Sequence, residues 1–292
     1  MSLLDDLSAA ISSAAAAASP SVVGIGARLR GSGVVIGDGK VLTNAHNIRG
    51  DQVTVTFADG RSVRGTVAGT DVDGDLAVIE VETAGIPALA WATDGNTVGS
   101  VVFGLSATGG GPARVTVGTV SAVNRAFRGP GGRRIAGSLE HTAPMAPGSS
   151  GGPIVDAAGR LVGLNTHRIG DGFYLARQAD AALRERVELL ARGRSVERPR
   201  LGVEVAPSHV ARRLRRSVGL PERDGLLVRG VEDGSPAAGA GIREGDLIVG
   251  LAGNAVSDAD SLADAMAGAT GTVEVVVVRG AEELTLRADL AG

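Results

Sequence analysis

The 292-residue sequence contains no cysteine, which excludes disulfide scaffolds, thiol nucleophiles and Cys-ligated zinc or iron–sulfur centres. Aromatic residues are only 2% of the chain, and Lys40 is the single lysine among 29 basic residues. The net charge of −3 gives no basic excess of the kind that marks a nucleic-acid binder. No run approaches the roughly 18 consecutive apolar residues of a membrane-spanning helix. Asp5 and Asp6 stand where a secretory leader would carry Lys or Arg, and Ala14 to Ala18 is too short for its apolar core. A cytoplasmic location is therefore expected, with the periplasm or secretion as the alternative if a signal segment preceded this numbering.

What the chain does have is glycine, 45 residues of it, and short valine-rich runs. After an amphipathic helix expected over residues 2–17, six runs follow at 21–27, 33–37, 40–43, 52–57, 62–68 and 75–81. Six more follow at 100–104, 113–121, 134–141, 152–155, 160–166 and 173–176. Two six-strand units in series predict a pair of antiparallel β-barrels, since closure removes exposed strand edges. A helix is expected over 177–192, with Leu183, Val187 and Leu190 on one face, and a charged linker ends it. The remainder mixes strands with helices after Ser208 and Asp258 and reads as a second compact domain. The resulting division is an N-terminal helix or extension at 1–20, a double-barrel domain at 21–193 (barrels about 21–95 and 96–182), a linker at 194–199 and a mixed domain at 200–292.

Three segments carry chemistry. Pro147-Gly148-Ser149-Ser150-Gly151-Gly152-Pro153 is a tight turn whose glycines tolerate unusual backbone angles and leave N–H groups free to face a developing oxyanion. Ser150 is the expected nucleophile, with the turn Gly148, Ser149 and Ser150 as the oxyanion hole and the N–H groups of Gly148 and Ser150 as its main donors. His46 follows the apolar strand Val41-Leu42-Thr43 and is the expected base. Asp75 heads the strand Leu76-Ala77-Val78, where a carboxylate can be buried and hold the imidazole in one tautomer. Gly148 to Gly152 also satisfies the G-x-S-x-G pattern of α/β-hydrolases. There, however, the serine comes first in the chain and a helix follows it, whereas here the order is His46, Asp75, Ser150 and a hairpin follows.

The T-N-A-H segment at Thr43–His46, D-L-A-V at Asp75–Val78 and P-G-S-S-G-G-P at Pro147–Pro153 resemble the HtrA (DegP-like) branch of chymotrypsin-fold serine proteases. The resemblance implies a mainly β, double-barrel fold followed by an α+β PDZ domain. It also implies an ATP-independent serine endopeptidase, without metal or cofactor, acting on unfolded or exposed polypeptides. By the same resemblance Thr166 supports Asp75, strand 165–168 pairs with substrate backbone, and Met145, Ala146, Leu164, Asn165, Thr166 and His167 contact substrate. Arg200-Leu201-Gly202-Val203 resembles the family's carboxylate-binding loop, and the helix bearing Leu262 and Met266 would wall a groove for protein C-termini. The alternative is that Leu201, Val203, Leu262 and Met266 are core residues only. A homotrimer is implied by the family, although the N-terminal segment lacks the aromatic residues many relatives use for it. Ser149 stands where the family usually has Asn, and Asn47 where Val is usual. The glycine-rich segment 127–137 is a candidate activation sensor or a solvated basic loop. The competing function is a proteolytically silent peptide-binding chaperone or adaptor.

Overall fold

In the computed structural model, residues 2–93, 97–128, 134–195, 200–267 and 269–290 are described. The chain divides into two units, Met1–Val196 and Glu197–Gly292.

The first unit begins with helix α1 (Leu3–Ala18), capped by Ser2, whose side chain accepts from the Asp5 backbone while Asp5 returns a bond to the Ser2 N–H. Strands β1 (Val22–Ile25), β2 (Gly31–Gly37), β3 (Lys40–Thr43), β4 (Gln52–Thr56), β5 (Ser62–Asp71) and β6 (Leu76–Glu80) close a barrel in the order β1-β2-β3-β6-β5-β4. Strands β7 (Val101–Ser106), β8 (Arg114–Arg128), β9 (Arg134–His141), β10 (Pro153–Val155), β11 (Leu161–Gly170) and β12 (Phe173–Gln178) close a second. Its order, β10-β11-β12-β9-β8-β7, is the same topology read in the opposite direction. Helix α2 (Ala181–Ala191) completes the unit, with the Asp180 carboxylate accepting from the Leu183 N–H at 2.8 Å.

Neighbouring residues of one strand serve different cores. Val23, Val35, Val41 and Ile79 fill the first barrel. Val22, Val34, Leu42 and Val78 point the other way, into a cluster shared with Phe103, Leu105, Val155, Leu161 and Leu164 of the second barrel. Side chains alternate across a strand, so a strand buried on both faces must be apolar at every position, and the valine runs are continuous for that reason. The shared cluster also receives Ala14 and Ala18 of α1 and Leu183, Val187 and Leu190 of α2. The N-terminal helix thus packs into the inter-barrel core through its last turns. Gly159 in the β10–β11 turn lies so close to α1 that a Cβ there would sit 2.8 Å from the Ala17 Cβ.

Several strands outrun their apolar stretches. β8 continues to Arg128 and β11 to Gly170, beyond the ends the hydrophobic pattern suggests, because backbone pairing in the β8–β9 and β11–β12 hairpins persists where side chains face solvent. The segment expected to be a sensor straddles this hairpin, and its residues 129–133 lie outside the described residues.

The second unit holds β13 (Val203–Ala206), α3 (Ser208–Ser217), β14 (Leu226–Val231), α4 (Pro236–Gly239), β15 (Leu247–Leu251), β16 (Asn254–Ala255), α5 (Ala259–Ala267), β17 (Thr272–Arg279) and β18 (Glu282–Asp289). Its sheet runs β13-β14-β15-β17-β18, with β16 paired to β15 and β13 at one edge. Leu226, Val228, Ile248, Val275 and Val277 form its core with Met266 of α5.

Candidate active site

β3 ends at Thr43, and the chain turns through one short helical turn, Ala45–Asn47, that carries His46. Asp75 heads β6 after a turn in which the Asp71 carboxylate accepts from the Gly74 N–H at 2.8 Å. Gly74 leaves room for that carboxylate, since a Cβ there would lie 2.5 Å from an Asp71 oxygen. Asp75 itself adopts φ 55°, a left-handed conformation unusual for a residue with a side chain. Three groups hold it. The Asn44 amide donates to its carbonyl at 2.9 Å, the His46 N–H to Oδ1 at 3.1 Å, and the Thr166 hydroxyl to Oδ2 at 2.7 Å. Its carboxylate, 2% exposed, lies 2.9 Å through each oxygen from His46 Nδ1. A proton on Nδ1 satisfies that carboxylate and leaves the Nε2 lone pair outward on a ring whose side chain is 32% exposed.

Ser150 lies in the connection between β9 and β10. Its carbonyl accepts from the Ser32 N–H at 2.8 Å and from the Asn47 amide at 2.9 Å. The Gly148 carbonyl accepts from the Ser32 hydroxyl at 2.7 Å. Gly148 and Gly151 have φ +87° and +83°, and a Cβ on Gly151 would lie 2.2 Å from the Ser32 carbonyl oxygen. The Ser149 N–H, expected in the oxyanion hole, instead donates to the Ala146 carbonyl at 3.1 Å, and those of Gly151 and Gly152 donate to the Asn165 and Ser149 carbonyls. Those of Gly148 and Ser150 meet no protein acceptor among the described residues. Two backbone donors left open on one turn are what a developing oxyanion requires.

The residues expected to contact substrate are distributed unevenly. Leu164 is fully buried in the inter-barrel core. Asn165 is buried and accepts through Oδ1 from His141 Nε2 at 3.0 Å, and Thr166 is spent on Asp75. His167 is exposed and stacks on Phe127 at 5.5 Å between ring centroids. The Asn165 N–H and carbonyl still bond to Gly152 and Gly151; from Thr166 onward β11 pairs with β12 alone, so its other edge is open there among the described residues. Met145 and Ala146 are half-buried in the approach to Ser150. No sequence pattern assigns a role to Ser32 or Asn44, and Asn47 stands out in the sequence only as a departure from the family. Burial pushes the His141 pKa down to about 4, partly offset by its bond to Asn165, and leaves its Nδ1 unpartnered. Behind Asp75, burial pulls the Arg177 guanidinium below its usual pKa, while Asp71, Asp180 and Asp75 pull it back up.

In the second unit, Gly202 at φ +78° leaves room for Ser235, whose Cβ would lie 2.2 Å from any Cβ added there. The Gly202 and Leu201 carbonyls accept from the Glu232 and Ala237 N–H groups at 2.9 and 2.8 Å. Arg200 pairs with Glu232 at 2.9 Å. Leu201 and Met266 are buried, and Val203 and Leu262 pack partly buried against the same core.

Two six-stranded barrels with a His–Asp pair and a glycine-turn serine between them define the class of chymotrypsin-fold serine hydrolases. A trypsin-like peptidase domain profile matches residues 31–164, and a PDZ domain profile matches residues 227–280. The putative serine protease HhoA of Synechocystis sp. is 34% identical over 281 residues, covering 90% of this chain and 70% of that protein. The probable periplasmic serine endoprotease DegP-like of Halomonas elongata is 31% identical over 244 residues, covering 80% of this chain. This chain spans only 50% of that relative's length. Among solved structures, the HtrA-type protease AlgW with a decapeptide superposes with a TM-score of 0.66 at 28% identity, covering 96% of this chain and 97% of that one. The serine endoprotease from Yersinia pestis gives 0.64 at 26% identity, with 96% of each chain covered. The chain belongs to the HtrA family of trypsin-like serine proteases with a PDZ domain. Among the described residues no helix is long and apolar enough to cross a membrane.

Proposed function

We propose that Ser150 is the nucleophile of a serine endopeptidase acting on unfolded or exposed polypeptides without ATP. His46 Nε2 takes the Ser150 hydroxyl proton as Oγ attacks the substrate carbonyl, and Asp75 stabilises the imidazolium. The N–H groups of Gly148 and Ser150 receive the oxyanion. Collapse to the acyl-enzyme passes the proton from His46 to the leaving amine, and a water molecule repeats the cycle. The observation that carries this reading is the carboxylate of Asp75, held by Thr166 and facing His46 Nδ1 at 2.9 Å through both oxygens.

The open edge of β11 suits the backbone of the acyl-side residues. Ser149, just before the nucleophile, cannot form the ion pair that a newly cut N-terminus makes with Asp in trypsin-like zymogens. Activity accordingly needs no propeptide cleavage. In the second unit, edge strand β13 beside the Arg200–Val203 loop suits an extended C-terminal peptide. The relatives called periplasmic support the periplasmic placement over the cytoplasmic one.

Digestion of unfolded casein by the wild type and by Ser150→Ala tests the assignment. The variant should lose roughly 10⁶ in kcat, and residual activity above a few per cent would overturn it. Labelling by a fluorophosphonate separates an active enzyme from a silent chaperone, because only an assembled site is phosphonylated.

A further inference from the structure

The first barrel carries a basin of about 350 Å³ lined by Arg28, Arg30, Arg49 and Arg64. None of these four guanidinium groups forms an ion pair or hydrogen bond among the described residues. The tight turn between β1 and β2, with Gly26 and Leu29 at positive φ, brings both Arg28 and Arg30 to the basin. That turn and the His46–β4 connection hold one carboxylate between them, the exposed Asp51. Unpaired arginines gathered around one depression repel one another, and such an arrangement is suited to an anionic ligand.

The basin adjoins the nucleophile. Asn47 lines it and donates to the Ser150 carbonyl, and the Leu29 carbonyl oxygen lies 3.4 Å from where a Gly148 Cβ would be. Its walls belong wholly to the first barrel, whereas the open edge of β11 belongs to the second. A substrate whose acyl side lies along β11 must cross Ser150 and leave past His46 towards Asn47 and Arg49. We infer that the arginine basin is the subsite for substrate residues on the leaving-group side of the scissile bond and selects Asp or Glu there. This inference rests on the proteolytic reading of Ser150. The four arginines are exposed, so the selection is electrostatic and weakens with salt.

The test uses the full chain and two C-terminally amidated peptides, which deny the PDZ unit a terminal carboxylate. Both carry Val on the acyl side and either three Glu or three Lys on the leaving side. The wild type should cleave the Glu peptide with kcat/KM at least tenfold higher, a ratio that falls as ionic strength rises. Ser150→Ala should bind the labelled Glu peptide tighter by the same factor in fluorescence anisotropy. Arg30→Glu with Arg49→Glu should invert both preferences, and Arg30→Lys with Arg49→Lys should retain them. Equal handling of the two peptides, or a preference that survives charge reversal, overturns the inference. Failure of the wild type to take a fluorophosphonate would sink the proteolytic reading instead, and the anisotropy measurement would still decide on the basin.

Discussion

The Asn47 side-chain amide donates to the main-chain carbonyl of Ser150 at 2.9 Å, joining residues 103 apart in sequence. The helical turn that holds His46 is thereby tied to the turn that holds Ser150. Asn47 is 2% exposed, also donates to the Thr43 hydroxyl at 3.0 Å, and leaves its own Oδ1 without a partner. Asn47→Val removes two hydrogen bonds but also an orphaned acceptor, so stability should change by less than about 1.5 kcal/mol. Asn47→Asp has the same shape but brings a buried charge against the Ser150 carbonyl, and should cost about 3 kcal/mol or more. Urea denaturation of the two variants measures the contrast, and equal tolerance of both would dissolve the tie.

Thr166→Val should impair turnover without weakening substrate binding. The lost bond goes to a buried carboxylate, a class worth about 1.5–3 kcal/mol, equivalent to roughly 10- to 100-fold in kcat. Thr166→Ser keeps the hydroxyl and should restore most of the rate. Steady-state kinetics on one peptide decides: a change confined to KM, or no rescue by Ser, contradicts a role through Asp75.

His141 makes the fold sensitive to acid. The unfolded chain protonates this residue near pH 6.5, whereas the folded chain does not until about pH 4. Between those values the unfolded state binds more protons, so stability is complete above pH 6.5 and declines as pH falls towards 4, by about 3 kcal/mol from this residue. His141→Gln can still donate to Asn165 and should show a shallower decline in urea midpoints over that interval. Parallel curves for the two proteins would contradict the assignment.

Cleavage should follow Val, Ala, Leu or Ile rather than Arg or Lys. The approach to Ser150 runs through Ala143, Pro144, Met145 and Ala146 and holds no carboxylate. A buried substrate guanidinium would go unpaired there, whereas an aliphatic side chain gains roughly 1.5–3 kcal/mol from burial. Sequencing product ends from a mixed peptide library gives the answer, and dominant cleavage after basic residues would refute it.

The barrels were legible because strands buried on both faces leave unbroken valine runs, as in Val22-Val23 and Val34-Val35. His46, Asp75 and Ser150 were legible because each sits at a strand end or on a glycine turn with a recognisable neighbourhood. Their supports were not. Ser32 reaches Gly148 across 116 residues and Thr166 reaches Asp75 across 91, and no local pattern encodes a bond over such separations. The start of α2 was misplaced for a different reason. The junction Arg177-Gln178-Ala179-Asp180 carries no Gly or Pro to mark a break, so the boundary is set by the Asp180 cap rather than by hydrophobic periodicity. Helix α4 has four residues, too few for any periodicity to register.

The seat of α1 has a consequence for biosynthesis. Ala14 and Ala18 pack among Phe103, Leu105, Val155 and Leu161, and the Ser19 hydroxyl accepts from the Ala113 N–H at 2.8 Å. The helix is therefore translated long before most of the surface that receives it exists. On the ribosome it must wait, with its alanine face uncovered, until the chain has been extended past residue 161. Closing so long a loop is entropically slow. Chaperone demand during synthesis should concentrate in that interval, and the finished enzyme should acquire its inter-barrel core only when the helix docks.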